Sequence, residues 1–309
     1  MAKHETNIDT VGIQLDLPTP EEQRNKMDLI WNWVISRSLG KLEVDPDNKS
    51  KRITRYRLMS GKTKIAVIHT GFTRVRDKLT RKFIKVYYIR IIFAGLKSFK
   101  VKSDEASNNA LLDICAFLNT TRTPFRMVEL DVAIDIFCSF YNVLGICINP
   151  VNGVPYNSLG TIQYFSGSYP TSYIHNYPTL RSRNDAFMRF YIYNKTAKES
   201  LPFTVTRAEL KLQNRFFLRY GFSVESIMRA LSNFGVFHFN SSIEKQNFIN
   251  RYSGAIKSYS YDINLNYQNY RLYPNPLAIE EFIRQLQTVY VDFYGNVTLP
   301  LQYPLPTRF

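Results

Sequence analysis

The sequence is poor in cysteine, in carboxylates relative to cations, and in long apolar runs. Its three cysteines, Cys115, Cys138 and Cys147, form no C-x-x-C pair. Neither a zinc ribbon nor a disulfide framework is therefore expected, and the usage fits a reducing compartment. No apolar stretch is long enough to span a bilayer as a helix, which excludes a membrane-spanning helix. The opening MAKHETNIDT lacks the apolar core of a secretory signal, so a cytoplasmic protein is expected. No GxxxxGK[ST] occurs around Gly160-Thr161 or Ser166-Gly167-Ser168, and no GxSxG occurs anywhere. A P-loop ATPase and an α/β-hydrolase are both excluded on that ground.

What is abundant is positive charge. Forty Lys and Arg face 25 Asp and Glu, a formal net charge of +15 over 309 residues. The cations cluster: Lys49, Lys51, Arg52, Arg55 and Arg57; then Arg74, Arg76, Lys78, Arg81, Lys82 and Lys85; then Lys97, Lys100 and Lys102. Clustered excess charge of this kind points to a polyanionic partner, nucleic acid before a membrane surface. With 45% hydrophobic residues the chain has the material for a core, and wholesale disorder is excluded. The 15% aromatic content accompanies abundant Lys, Asn and Ile, a bias that an AT-rich genome alone produces, and is given little weight as a base-stacking signal.

Along the chain, residues 1–18 read as a polar lead-in with a short strand near Val11–Leu17. A helix follows over 20–39, with Thr19 as cap, Pro20 at the first position, Glu22 completing a capping box and Gly40 as a stop. Its apolar face packs on the core or on a second subunit, which leaves a homodimer open. Strands are expected at 51–59, 63–71 and 82–94, the last (KFIKVYYIRIIF) central, and a helix from Ser103 to Leu118 in which Cys115 is core packing. Further strands are expected at 125–137, 161–165, 187–195 and 203–213, with a polar loop over 166–186. Helices are expected over 214–234, 242–257 and 276–288, before an extended, proline-bearing tail. The order predicts an α+β fold, a central antiparallel sheet with helices packed on it. Three parts are expected: a helical lead-in at 1–45, a catalytic core at 46–235 and a helical C-terminal region at 236–309.

Three of these strands carry polar residues on a face that burial would make apolar. Side chains alternate across a strand, so Glu129, Asp131 and Asp135 share one face while Val128, Leu130, Val132 and Ile134 take the other. Arg207, Glu209 and Lys211 share a face of 203–213, and Arg189, Tyr191, Tyr193 and Lys195 share a face of 187–195. Each set alone fits a solvated strand or a salt-bridge ladder. Together they are the parts of metal-assisted phosphodiester chemistry. Carboxylates hold Mg²⁺ or Mn²⁺, a tyrosine beside a cation is a usable nucleophile, and Arg and Lys stabilise charge developing on phosphoryl oxygens.

The strings VELDVAID, RFYIYNKTAKE and TRAELKLQNRFF, in that order, resemble the rolling-circle replication initiators. The similar groups are the replication-initiation-factor family of small plasmids (the Rep_trans type) and the gene II replication proteins of filamentous phages. The resemblance covers about 120–235. It implies a metal-dependent, site-specific DNA nickase and strand transferase acting through a 5′-phosphotyrosine intermediate. Tyr193 would be the nucleophile, with Tyr191 on the same face as the alternative. Lys195 and Arg207 would bind phosphate, and Glu129, Asp131 and Glu209 would hold Mg²⁺ or Mn²⁺. The chain departs from the family at Glu129, where a basic residue is frequent, and it has no His-hydrophobe-His pair, so it is not a standard HUH nuclease.

The implied partner is origin DNA, single-stranded or as supercoiled duplex, in the cytoplasm of a bacterial host. A host helicase and polymerase would join it, and no membrane is involved. Origin contacts are expected from Arg52, Arg55, Arg74 and Arg76 and from Arg181 and Arg183 of the 166–186 loop. Two alternatives accompany this reading: a non-catalytic origin- or operator-binding protein, and a mobilisation relaxase using the same chemistry.

Overall fold

The computed structural model describes residues 2–37, 39–46, 53–76, 81–97, 104–147, 163–165, 169–175, 188–258 and 270–294. The fold is α+β, as the element order predicts. The chain divides into two units, one of Asp9–Leu130 with residues from Arg284 on, the other of Asp131–Ile283 with residues up to Ile8. The divisions thus fall inside two strands, β1 (His4–Leu17) and β6 (Arg126–Ile136).

In the unit containing residues 9–130, five strands pair antiparallel in the order β2-β3-β4-β5-β1. They are β2 (Lys41–Val44), β3 (Ile53–Ser60), β4 (Thr63–Arg76), β5 (Phe83–Ala94) and β1. The β-branched run of β5 lies between β4 and β1, as expected of an interior strand. Alternation puts Val11, Ile13 and Leu15 of β1 on one face with Ile89, Ile91 and Phe93 of β5 and Ile68 of β4, all buried. Two helices contribute to this core, α1 (Pro20–Ser36) and α2 (Asp104–Thr120). The Thr19 hydroxyl accepts from the Glu22 amide at 3.1 Å, and Pro20 occupies the first turn, which starts α1 where the sequence predicts. Met27, Ile30, Trp33 and Val34 form its buried face, and the Trp33 ring stacks on Phe117 of α2 at 5.3 Å. The helix stops at Ser36, before Gly40. Gly40 serves a close approach instead of a stop. At φ +135° it passes so near β3 that a Cβ would meet the Met59 carbonyl oxygen at 1.9 Å.

In the other unit, β6 is followed across the sheet by β11 (Thr206–Gln213), β10 (Met188–Asn194), β9 (Tyr169–His175) and β8 (Gln163–Phe165). A second sheet, ordered β13-β12-β7, contains β7 (Val143–Cys147), β12 (Phe234–His238) and β13 (Arg271–Leu272). The two sheets meet through apolar side chains. Phe190 of β10 stacks on Phe234 of β12 at 4.5 Å, and a Cβ on Gly145 of β7 would lie 2.6–2.7 Å from Ile174 of β9 and Ile192 of β10. Gly145 is therefore the residue that lets the sheets close. Helix α6 (Ser242–Ser258) covers the second sheet through Phe248 and Ile249, against Leu144, Ile146, Phe237 and Phe239.

The helical stretch expected over 214–234 is two helices, α4 (Asn214–Tyr220) and α5 (Val224–Ser232), broken by Gly221 at φ +75°. The expected 166–186 loop contains β9, and β7, β12 and β13 were not expected at all. Helix α7 (Pro276–Tyr294) outruns its expected end. Among the described residues no helix is long and apolar enough to cross a membrane. Gly145→Ala should destabilise the protein by about 1–3 kcal/mol, because the new methyl has no room between Ile174 and Ile192. Urea unfolding followed by fluorescence measures it, and an unchanged midpoint would show that the sheets can part freely.

Candidate active site

One face of β10 and β11 is apolar and turns to the second sheet: Met188, Phe190 and Ile192, with Ala208, Leu210 and Leu212, are all buried. The polar residues fall on the other face, and the antiparallel register sets Tyr193 opposite Arg207, Tyr191 opposite Glu209 and Arg189 opposite Lys211. Beyond β11 lies β6, whose Asp131 and Asp135 share that polar face. This face is polar yet buried. Asp131, Asp135, Arg207, Glu209 and Tyr193 are each at most 3% exposed. Every charge on it must therefore be met locally.

The pairing follows the strands. Arg207 makes a two-pronged contact with Asp135, Nε to Oδ1 at 2.6 Å and Nη2 to Oδ2 at 2.7 Å, and both side chains are fully buried. Asn7 of β1 donates to the same carboxylate at 3.3 Å. Lys211 pairs with Asp131 at 2.7 Å. Glu209, next along β11, accepts from both tyrosines of β10: Tyr191 donates to one carboxylate oxygen and Tyr193 to the other, the latter at 2.9 Å.

Tyr193 has a second partner that strand alternation does not anticipate. Immediately after it, Asn194 caps a short helix, α3 (Lys195–Glu199), by accepting from the Ala197 amide at 2.9 Å. This turn folds Lys198 back over the strand end. Its ammonium donates to the Tyr193 hydroxyl at 3.2 Å and lies 4.4 Å from the ring centroid. Thr196 holds α3 in place, its hydroxyl accepting from the Val205 amide at 2.7 Å and donating to the Phe203 carbonyl at 3.0 Å. The Tyr169 ring of β9 packs on Tyr193 at 5.7 Å. Thr171, opposite Tyr193 in register, is buried, and its hydroxyl has no hydrogen-bond partner among the described residues.

Several expectations change. Lys195, expected to bind phosphate, is buried and ion-paired with Glu199 one helical turn on; Lys198 is the cation at the tyrosine. Arg207 is engaged by Asp135 and has no exposed surface to offer a phosphate. Tyr191, the alternative nucleophile, has its pKa driven well above the ordinary tyrosine value, first by burial and then by the carboxylates of Glu209 and Asp131. The expected metal set does not converge: among the described residues no three of His, Cys, Asp and Glu form a group able to hold a metal ion. Asp131 is ion-paired and Glu209 is shared between two hydroxyls, while Glu129 packs beside Gly12 of β1.

Of the expected DNA contacts, Arg55 is ion-paired with the fully buried Asp45 at 2.8 Å, its own side chain remaining 40% exposed. Arg74 and Arg76 are exposed at the end of β4. Arg52, Arg181 and Arg183 lie outside the described residues. Cys115 is core, as expected, its thiol pushed up to about 12 by burial.

No family model and no curated protein sequence matches the chain. Among solved structures, the rolling circle replication initiator protein from Geobacillus stearothermophilus is similar over 81% of this chain and 96% of that one, at 10% identity and a TM-score of 0.38.

Asp135→Asn should destabilise the protein by about 3–5 kcal/mol, since it leaves the Arg207 guanidinium buried without a counter-charge. Chemical denaturation reads this directly, and a loss under about 1 kcal/mol, as for an exposed pair, would contradict the burial argument.

Proposed function

We propose that this chain is a DNA nicking and strand-transfer protein that starts rolling-circle replication, with Tyr193 as its nucleophile. The observation that carries the reading is the position of the Tyr193 hydroxyl, between the Glu209 carboxylate at 2.9 Å and the Lys198 ammonium at 3.2 Å. A free tyrosine titrates near pH ~10 and is a weak nucleophile at neutrality. A carboxylate that takes its proton and an ammonium that stabilises the phenolate remove that obstacle. The net charge of +15 supplies the attraction for a polyanionic substrate, and the ordered motifs of the sequence supply the family resemblance.

In this reading the Tyr193 oxygen attacks phosphorus as the bond to the 3′-oxygen breaks. Glu209 takes the phenolic proton and can return it to the departing 3′-oxygen, giving a free 3′-hydroxyl and a 5′-phosphotyrosine. The energy of the broken diester is kept in the new one, so attack by a 3′-hydroxyl reverses the step and rejoins the strand. Lys198, exposed at the mouth of the site, meets the charge that develops on the phosphoryl oxygens. Tyr193 is 1% exposed. A phosphodiester reaches it when the Tyr169 ring and the Lys198 stem part from it.

That burial is the observation favouring a second reading, a non-catalytic DNA-binding protein in which Tyr193 is a satisfied core tyrosine. The two separate on a supercoiled plasmid carrying the chain's own flanking DNA, incubated with Mg²⁺ or Mn²⁺ and in parallel with chelator, and run on a denaturing gel. The proposed reading expects a protein adduct on a 5′ end. Tyr193→Phe abolishes it, Tyr191→Phe retains it, and Lys198→Met slows its formation by about 10²-fold. Binding without an adduct in any condition would sink the nicking reading in favour of the second.

A further inference from the structure

The β4–β5 pairing continues past the residues that the helices cover. Its last well-buried rung is Gly71 opposite Tyr88, and there Gln23 of α1 clasps both strands, its side-chain amide donating to the Gly71 carbonyl at 2.8 Å and the Tyr88 carbonyl at 2.6 Å. Beyond that clasp the two strands run on as a ribbon, with Thr73 opposite Val86, Arg74 opposite Lys85, Val75 opposite Ile84 and Arg76 opposite Phe83. Alternation gives the ribbon two unlike faces. Arg74, Arg76 and Lys85 lie on one, together with Phe72 and the 70% exposed Phe83, the Lys85 ammonium standing 5.0 Å above the Phe72 ring. Val75 and Ile84 lie on the other, 40% and 47% exposed.

This arrangement is unfavourable for the protein alone. Like charges directly opposite across an antiparallel pair repel, and residues 72–86 carry six cations against the single carboxylate of Asp77. Exposed β-branched side chains on a two-stranded ribbon gain nothing from water. A ligand that is polyanionic on its outside and apolar-accepting within would answer both.

We propose that the β4–β5 ribbon is a DNA-docking arm that enters the major groove of a duplex. The groove is about 12 Å wide and admits a two-stranded ribbon, and it presents thymine methyl groups to apolar side chains. Arg74, Arg76 and Lys85 then meet the flanking phosphates, and Val75 and Ile84 face the base edges. The clasp at Gln23 fixes the arm at its root, so its insertion orients the whole unit. The inference rests on the DNA-directed reading above and deepens it by naming the contacting element.

The test is equilibrium binding of the Tyr193→Phe chain to a short labelled DNA duplex of mixed sequence over a salt series, so that the outcome is independent of nicking. Each lost phosphate contact flattens the plot of log affinity against log salt by about 0.9. Arg74→Gln with Lys85→Gln should therefore flatten it by about 1.8 and weaken binding about tenfold at physiological salt. Lys62→Gln with Lys64→Gln, a charge-matched pair exposed at the other end of β4, should leave affinity within about twofold of the parent. Val75→Ser with Ile84→Ser should weaken binding with the slope unchanged. Equal losses in the two cation pairs, an unaffected Arg74/Lys85 variant, or an unaffected Val75/Ile84 variant would overturn the arm. So would tighter binding of the parent to single-stranded RNA or anionic vesicles than to the duplex.

Discussion

The buried pair of Asp135 and Arg207 is the constraint from which the site's geometry follows. Moving two charges out of water costs several kcal/mol each, and the cost is recovered only with near-ideal geometry and further hydrogen bonds. Here the two-pronged contact and the Asn7 amide supply both. Such a pair tolerates one register. A slip of one residue between β6 and β11 would turn Arg207 to the face occupied by Ala208 and Leu210, against the second sheet, where no counter-charge stands. Once Arg207 is fixed, Lys211 four residues on must meet Asp131, and Glu209 between them must face β10. The β10–β11 register then sets Tyr191 and Tyr193 within reach of one carboxylate. The position of the Tyr193 hydroxyl is thus a consequence of where the buried charges can be neutralised.

The same logic separates carboxylates paired with cations from one that meets hydroxyls. Asp135 and Asp131 spend their charge on Arg207 and Lys211. Glu209 instead accepts from the two neutral tyrosine hydroxyls. The two tyrosines that share it are not equivalent. Burial first, and then the carboxylates of Glu209 and Asp131, hold the Tyr191 phenol protonated. Tyr193 lies at the strand end, where α3 delivers an ammonium. A difference of two residues along one strand separates a tyrosine whose neighbouring charges are carboxylates from one that also meets an ammonium.

How much of this was legible depends on range. Alternation within a strand is local, so the polar faces of β6, β10 and β11, and their residues, could be read directly. The cap of α1 was equally local. What the strands do to one another was not. Nothing within RAELK says that Arg207 will be consumed by a carboxylate 72 residues away. Carrying strand alternation one residue too far, past Asn194, sets Lys195 on the tyrosine face, although Asn before K-T-A-K-E is itself a helix-capping signal. Strand β9 lies in a stretch rich in Ser, Tyr and Pro, whose composition reads as loop. Strand β12 follows α5 with one intervening residue, too abruptly for periodicity to register the change. Strand β1 was read short because Thr6, Asp9, Thr10 and Gln14 are polar, yet all are buried.

The distribution of positive charge follows from the same energetics. Where cations lie within a sheet, an acceptor stands beside them: Arg55 and Arg57 at Asp45, Arg126 at Asp16, Arg90 at the Gln14 side-chain carbonyl. Burial demands this, because an unmatched charge at reduced dielectric would cost more than the fold can recover. At the β4–β5 ribbon the demand lapses, since water screens Arg74 and Lys85 even though they stand opposite one another. Solvent makes such a cluster tolerable but not stabilising. A net charge of +15 is therefore not spread evenly over this chain. Among the described residues, part of it is paired within the sheets, and part stands exposed on the β4–β5 ribbon.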